Sequence, residues 1–588
     1  MTIDLDGYRS LSDAFAARVA ARPDRTALTV AHGPAEEQQL TYRELARRVD
    51  RRAAALAGRL APGARVVIAL PTGTEFAELY LACLRAGLVA VPAPVPGGSA
   101  TATERVAAIA TDCAPGLVVT TEQDLAAVTA QLAGHGLDGL PVEAVGDAGE
   151  GAASEPVPAD RRPDRDTVAV LQYSSGSTGS PKGVVLTHGA VLDNLAALTR
   201  HDRLGPDDRF GGWLPLHHDM GLFAQLTAGL LIGAPVVLMP PAQFVRRPVE
   251  WFRLLSRHRI TATAAPNFAY DLCLRLVRDD QLDGLDLSAL RYAWNGSEPI
   301  HGPTMTAFTE RFARIGLPPY AVAPAYGMAE CTIYVSTKLA DEPPTVRQVD
   351  RARLESAGEP ALHPVDAGGR PMVGVGRPVP FTARIVDPRT RRELPAGRIG
   401  EIWLRGPGIG RGYWGRPEAS SATFAARLAD GGDGDWLRTG DLGALLDGEL
   451  FITGRLKELL IVHGRNVAPQ DVEQEARAAH HALGGQLGAA FGVAAPDERI
   501  VLVHEVDPKT PRADLPGVAS AVTRRLTVSF GVPVRNVVLV RRGTVRRTTS
   551  GKIKRMAMRE RFLAGDLTAL HAELEPALRD ELPAGSPA

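Results

Sequence analysis

The sequence predicts an α/β protein: a large N-terminal domain of layered α/β subdomains plus a small β-rich subdomain, followed by a small α+β C-terminal domain. Three observations predict it. Through the first two-thirds, apolar runs of strand length alternate with amphipathic helical stretches, the pattern of parallel strands covered on both faces. Near Phe381 the character changes to strands separated by turn residues. After Gly454-Arg-Leu-Lys457 helices and strands mix again. A chain of 588 residues also exceeds what one hydrophobic core holds, so several units are expected.

Taken in order, Thr41-Tyr-Arg-Glu44 is a capping box, and the helix it opens continues through Leu45, Val49, Ala53 and Leu56. Strand 65–71, a helix from Thr74 to Ala86 and strand 88–91 follow. Further strand-like runs stand at 168–173, 236–239 and 260–263, with helical patterns between them. The β-rich subdomain, about 380–454, contributes strands at 383–386, 401–404 and 450–453. The boundary is expected between 454 and 455, giving domains 1–454 and 455–588. The second holds a helix after Pro469, strands near Phe491 and at 500–503, a helix over 518–526 and a strand at 536–540. Segments 146–164 and 341–372 read as loops.

Composition excludes several classes. A net charge of -1 sets up no global field toward nucleic acid or an anionic membrane. Cys83, Cys113, Cys273 and Cys331 are too scattered for a disulfide framework or a zinc site. The N-terminus, Met1-Thr-Ile-Asp-Leu-Asp-Gly7, lacks the basic and apolar regions of a signal peptide. The longest apolar stretch, 229–241, is shorter than the roughly 20 residues of a membrane span. A cytoplasmic protein with no nucleic-acid partner and no membrane span is expected.

The densest chemical signal is Tyr173-Ser-Ser-Gly-Ser-Thr-Gly-Ser-Pro-Lys-Gly183. Glycines let backbone approach an oxyanion closely, Ser and Thr add donors, and Lys182 adds charge. The loop lacks the G-x-x-x-x-G-K spacing of a Walker A loop and is not G-x-G-x-x-G. A flexible Ser/Gly linker is the plain alternative, and Lys182 with the flanking strand argues against it.

This loop resembles the phosphate loop of the adenylate-forming superfamily, which comprises acyl-CoA synthetases, firefly luciferases, peptide-synthetase adenylation domains and fatty acyl-AMP ligases. Further matches follow in the family's order. They are Trp213-Leu-Pro-Leu-His-His-Asp-Met-Gly221, Asn295-Gly-Ser-Glu-Pro299, Ala325-Tyr-Gly-Met-Ala-Glu330, Arg438-Thr-Gly-Asp441, Gly454-Arg-Leu-Lys-Glu-Leu-Leu460 and Thr549-Ser-Gly-Lys-Ile553. Together they span nearly the whole chain.

The resemblance implies ATP-dependent activation of a carboxylic acid to its acyl-adenylate, with Mg²⁺ and release of pyrophosphate. It assigns the phosphates to Ser174, Ser175, Gly176, Ser177, Thr178, Gly179 and Lys182. Gly296, Ser297, Glu298, Ala325, Tyr326, Gly327 and Met328 shape the adenine pocket, with Tyr326 against the base; Glu330 holds the metal. Asp441 and Arg455 take the ribose, and Lys457 is the hinge of a mobile C-terminal domain. Lys552, expected to be exposed on a swinging loop, reaches the carboxylate and α-phosphate as charge develops. His218 is a catalytic candidate and, with Asp219, Met220, Phe268 and Met328, lines the acid site. Each has a plainer reading on its own. Asp441 reads as a solvated turn residue, Arg455 as half of a surface ion pair, and the basic residues around Lys552 as a solvated face.

His218-Asp219-Met220-Gly221-Leu222 resembles the H-D-M-G-L of fatty acyl-AMP ligases, which pass the acyl group to the phosphopantetheine arm of a holo acyl carrier protein. The stretch 341–372, with Val349-Asp-Arg-Ala-Arg-Leu354, resembles the insertion those ligases carry before Gly376-Arg-Pro378, thought to restrict domain movement and CoA use. A core-bonded His218–Asp219 couple and an ordinary surface loop are the alternatives. An acyl- or aryl-CoA ligase and an amino-acid adenylation domain also remain open. A non-catalytic protein that kept the fold predicts decayed motifs, yet Lys182, Glu330, Asp441, Arg455 and Lys552 are all present.

Overall fold

A computed structural model describes residues 4–33, 36–146, 157–174, 181–356, 360–367, 369–431, 434–462, 465–494, 498–530, 534–548, 552–579 and 582–583. Two mixed sheets dominate the first 340 of these positions. One runs Val142–Ala144, Leu117–Thr120, Arg65–Ala69, Val89–Pro92, Val168–Ser174, Lys182–Thr187. Its neighbours are parallel except the last pair. The other runs Ser336–Thr337, Val322–Tyr326, Tyr292–Gly296, Ala262–Pro266, Phe210–Gly212, Val236–Leu238, Thr26–Ala31, Glu37–Thr41. It is parallel inside and antiparallel at both edges.

The helices between the sheets form as their sequences dictate. Thr41 Oγ1 accepts from the Glu44 N–H at 3.2 Å while the Glu44 carboxylate accepts from the Thr41 N–H at 2.8 Å, which starts helix Tyr42–Ala57. Its apolar stripe, Leu45, Val49, Ala53 and Leu56, is buried. Tyr42 is buried too, and its hydroxyl donates to the carbonyls of Leu230 (3.1 Å) and Ala234 (3.0 Å), so it leaves no orphan polar atom.

Thr382–Val386, Gly400–Arg405, Leu437–Leu446 and Glu449–Arg455 form an antiparallel sheet, as the turn-separated strands predicted. Beyond it, strands Gly488–Ala494, Glu498–Glu505, Asn536–Val540 and Ala569–Glu573 carry helices Pro469–Ala479, Leu515–Phe530 and Arg555–Leu563. Leu460, Val472, Leu502, Val522, Leu526 and Phe530 pack into a core that draws on no residue before 460.

Two expectations change. Lys182–Thr187 forms a strand antiparallel to Val168–Ser174 that the sequence reading did not separate out, so the Gly/Ser loop connects two hairpin strands ahead of the helix at His188. Helix His188–His201 begins only after that strand, capped by Thr187. The stretch 341–372 is not a loop throughout. Val346–Val349 pairs with Arg370–Val373, and helix Arg351–Leu354 is capped by Asp350. Both strands are too short for alternation to stand out in the sequence. This segment holds the C-terminal unit. The Asn466 N–H donates to the Glu355 carbonyl at 2.8 Å, Arg370 pairs with Asp471, and the Arg351 guanidinium donates to the Ser529 carbonyl and lies over the Phe530 ring.

Two histidines outside the site are buried and neutral. The Leu11 N–H donates to His188 Nδ1 at 3.2 Å, so the proton sits on Nε2, which has no partner. His504 donates from Nδ1 to the Glu505 carbonyl at 2.7 Å and leaves Nε2 unpartnered. Burial pushes both down to about 4. Because the folded value lies below the unfolded one, each contributes stability fully above about pH 6.5 and loses it as the pH falls toward 4, up to about 3 kcal/mol per histidine. His188→Asn, which keeps an acceptor for the Leu11 N–H, is expected to flatten the fall in thermal midpoint between pH 7 and 4.5. An unchanged slope would refute the assignment.

Candidate active site

The candidate residues gather outside the carboxyl ends of the parallel strands of the larger sheet, where open α/β sheets bind ligands. Strand Tyr292–Gly296 delivers Gly296, Ser297 and Glu298; strand Val322–Tyr326 delivers Ala325, Tyr326 and the turn to Glu330. Close approach fixes two glycines. A Cβ on Gly327 would sit 1.5 Å from the Ile333 carbonyl oxygen, and one on Gly221 2.3 Å from that of Pro215. The turn after Tyr326 is further pinned by buried Asn194, which donates to the Tyr334 carbonyl (2.8 Å) and accepts from its N–H (2.9 Å).

Asp441 was expected in a turn. It lies instead in strand Leu437–Leu446, opposite Arg455 and beside a register shift, and is buried. Its Oδ2 accepts from the Tyr326 hydroxyl at 2.8 Å and its Oδ1 from Arg455 Nε at 2.9 Å. Asp441 raises the Arg455 pKa, while burial and then Asp441 hold the Tyr326 phenol well above its usual range. The two halves of the motif set, nearly 120 positions apart, therefore meet through one carboxylate.

Glu330 accepts from the Tyr413 hydroxyl at 2.8 Å, and the Lys182 ammonium lies 5.0 Å from the centre of the Tyr413 ring. Burial raises the Glu330 carboxyl, with the Tyr413 bond pulling the other way. Behind the start of the Gly/Ser loop, the Tyr173 hydroxyl donates to Asp112 at 2.6 Å, and Arg416 pairs with the same carboxylate. Ser175, Gly176, Ser177, Thr178 and Gly179 lie outside the described residues, as does the Ser174 side chain.

Asp219 begins a π-helix, Met220–Thr227, and accepts from the Met220 N–H at 2.8 Å. π-Helical turns are rare and concentrate at functional sites. His218 is half-buried; desolvation first, then the nearby His217, Lys552 and Arg105, holds it well below the usual value, so the ring is neutral. The Phe268 N–H donates to the Glu298 carboxylate, and the Phe268 ring meets Trp213 edge-on at 6.1 Å. Met220 belongs to the same core, whereas Met328 packs with Ile300, Tyr326 and the β-rich sheet.

Lys552 differs most from expectation. It is half-buried rather than exposed. Its backbone is held in a tight hairpin, with the Thr548 N–H donating to the Lys552 carbonyl at 2.7 Å and the Lys552 N–H to Thr548 Oγ1 at 3.0 Å. Burial and then Arg455 lower its ammonium pKa, against the pull of Asp219, Glu298 and Asp441. The hairpin thus brings a cation within electrostatic reach of three carboxylates from the preceding part of the chain. Lys457 is exposed just beyond strand Glu449–Arg455.

Residues 15–414 match the model of the AMP-binding enzyme family. The chain belongs to that family. This AMP-binding enzyme is 38% identical over 533 residues to the 4-hydroxyphenylalkanoate adenylyltransferase of Mycobacterium tuberculosis, covering 87% of this chain and 84% of that one. It is 35% identical over 554 residues to the medium-chain-fatty-acid–[acyl-carrier-protein] ligase JamA of Moorena producens, covering 92% and 93%. A solved structure from studies of fatty acyl-adenylate ligases of E. coli and L. pneumophila superposes with a TM-score of 0.85, 31% identity and coverage of 96% and 99%.

Sequence reasoning missed Tyr413, Asp112, Arg416 and Asn194. Tyr413 had a weak signal: Gly410-Arg-Gly-Tyr-Trp-Gly415 places an aromatic pair among three glycines. The other three are ordinary helix or turn residues, functional only through where the fold puts them. Among the described residues no group of three or more His, Cys, Asp or Glu is arranged to hold a metal by itself, and no helix is long and apolar enough to cross a membrane.

Proposed function

We propose that this AMP-binding enzyme converts a fatty acid, or a related carboxylic acid, and ATP into acyl-AMP and pyrophosphate. It then transfers the acyl group to the phosphopantetheine thiol of an acyl carrier protein. The observation that carries the first step is Asp441 accepting from both Tyr326 and Arg455, with the hairpin-held Lys552 within electrostatic reach of that carboxylate, Asp219 and Glu298. In this reading a carboxylate oxygen attacks the α-phosphorus, the P–O bond to the β-phosphate breaks, and pyrophosphate leaves. Two anions meet, so catalysis is mainly positioning and charge neutralisation. Lys552 meets the new negative charge, Lys182 and the Gly/Ser loop hold the phosphate tail, and Asp441 with Arg455 takes the ribose hydroxyls. Neutral His218 orients the acid by hydrogen bonding without adding a charge.

Mg²⁺ fits the same residues. Glu330 offers one carboxylate whose Oε1 is oriented by Tyr413, which suits an ion that takes most of its ligands from phosphate and water. When bound, the ion would neutralise phosphate charge.

Transfer to a carrier protein is supported by the named activity of JamA and by the grip of segment 341–372 on the C-terminal unit. The decisive experiment offers the enzyme ATP, a panel of acids, and either CoA or a holo carrier protein, with products identified by mass. Acyl-AMP from fatty acids and acyl-carrier with little acyl-CoA is the expected outcome. Comparable acyl-CoA formation would reassign the enzyme as a CoA ligase.

A further inference from the structure

Helix Met220–Thr227 is apolar but for Gln225 and Thr227, and the two are treated differently. Thr227 is satisfied: its hydroxyl lies 2.7 Å from the Leu222 carbonyl and 3.3 Å from the Tyr80 hydroxyl. Gln225 is wholly buried, and neither its Nε2 nor its Oε1 has a hydrogen-bond partner. Among the described residues it is the one buried side chain whose donor and acceptor are both unpaired. An unpaired amide destabilises the folded state, and an apolar side chain of similar volume would avoid that cost.

The helix geometry sets where this amide lies. The Ala228 N–H donates to the Phe223 carbonyl, five residues back. With bonds running i→i+5, Gln225 returns toward the face that carries Met220; at 3.6 residues per turn it would point well away from it. Its amide rests against strand Phe210–Gly212, where a missing side chain makes the room. A Cβ on Gly212 would stand 2.3 Å from Gln225 Nε2 and 3.1 Å from Thr263 Oγ1, and that hydroxyl already accepts from Trp251 Nε1 at 3.2 Å. The next residue, Trp213, stacks on Phe244 at 4.0 Å, meets Phe268 edge-on, and has a buried, unpaired Nε1. Met220 and Phe268 are acid-site candidates, so the unpaired atoms of Gln225 and Trp213 sit beside the residues proposed to line the acid.

We infer that Gln225 is a specificity-determining residue, and that the preferred acid carries a hydroxyl group that bonds to its amide. This rests on the acid-activating reading above. A hydroxyl is the smallest group that meets either atom, accepting from Nε2 or donating to Oε1, whereas a plain methylene chain meets neither. Gln225, Trp213, Trp251, Thr263 and Phe244 are all uncharged, so a neutral group fits there better than a second carboxylate.

The test is pyrophosphate exchange with decanoate, hexadecanoate and phenylpropanoate, each beside its monohydroxylated isomers, in wild type and in the near-isosteric Gln225→Met. Wild type should favour at least one hydroxylated isomer over its parent acid by about 30-fold or more in kcat/KM, because the parent leaves the amide unpaired. In Gln225→Met that ratio should fall to about threefold or less, with the thermal midpoint unchanged or raised, a pairing that a purely structural role would not produce. Gln225→Leu is the second apolar variant and should lose the ratio in the same way. A wild type that uses the parent acids better than every hydroxylated isomer would overturn the inference, leaving adenylation intact and the amide holding only an internal water. An equal ratio in wild type and either folded variant would take the selectivity away from Gln225. Absence of exchange with every acid would overturn the acid-activating reading and this inference with it.

Discussion

Lys552→Ala is expected to slow acyl-adenylate formation by at least about 10²- to 10³-fold, while the thermal midpoint moves by no more than about 2 °C. The kinetic effect follows from geometry. Lys552 is the cation that the C-terminal hairpin brings within electrostatic reach of Asp219, Glu298 and Asp441, and its half-buried setting limits screening by water. The stability effect is small because its backbone bonds to Thr548 survive the substitution. Pyrophosphate exchange and a melting curve on the same preparation check both halves. Unchanged exchange would remove Lys552 from the reaction.

Asp441→Ala should act on ATP rather than on the acid. It leaves the Tyr326 hydroxyl and the Arg455 guanidinium without their shared acceptor, one partly buried and one half-exposed. Truncating one partner of such a pair costs several kcal/mol when fully buried; with Arg455 half in water, about 1.5–3 kcal/mol is expected, a rise in KM for ATP of roughly 10- to 100-fold. The KM for the acid should move little. Equal effects on both would mean that Asp441 supports the pocket as a whole rather than the sugar.

Both arguments rest on residues visible in the sequence, in settings that were not. The capping box at Thr41, the strand runs read at 65–71 and 168–173 and the β-rich stretch after 380 were legible because local pattern and burial agree there. The motifs named Lys182, Glu330, Asp441, Arg455 and Lys552 but not how they connect. That Asp441 joins Tyr326 to Arg455, and Tyr413 joins Glu330 to Lys182, depends on contacts between strands and loops 80 or more residues apart, which no local periodicity encodes. The π-helix at Met220 was hidden because an apolar run of that length fits any helical geometry. Lys552 was expected in solvent because its neighbours are basic, and basic stretches usually are solvated; here the hairpin turns one member of the run inward.

The contacts of segment 341–372 have a kinetic meaning. If the C-terminal unit rotates about Lys457, as we propose, it must first release Asn466 from Glu355, Arg370 from Asp471 and Arg351 from Ser529 and Phe530. Their combined strength sets how long the closed form persists, and each 1.4 kcal/mol alters that dwell time about tenfold. Set against the hydrolysis rate of a mixed anhydride, the dwell time decides what fraction of each ATP consumed ends as a delivered acyl group rather than as free acid and AMP.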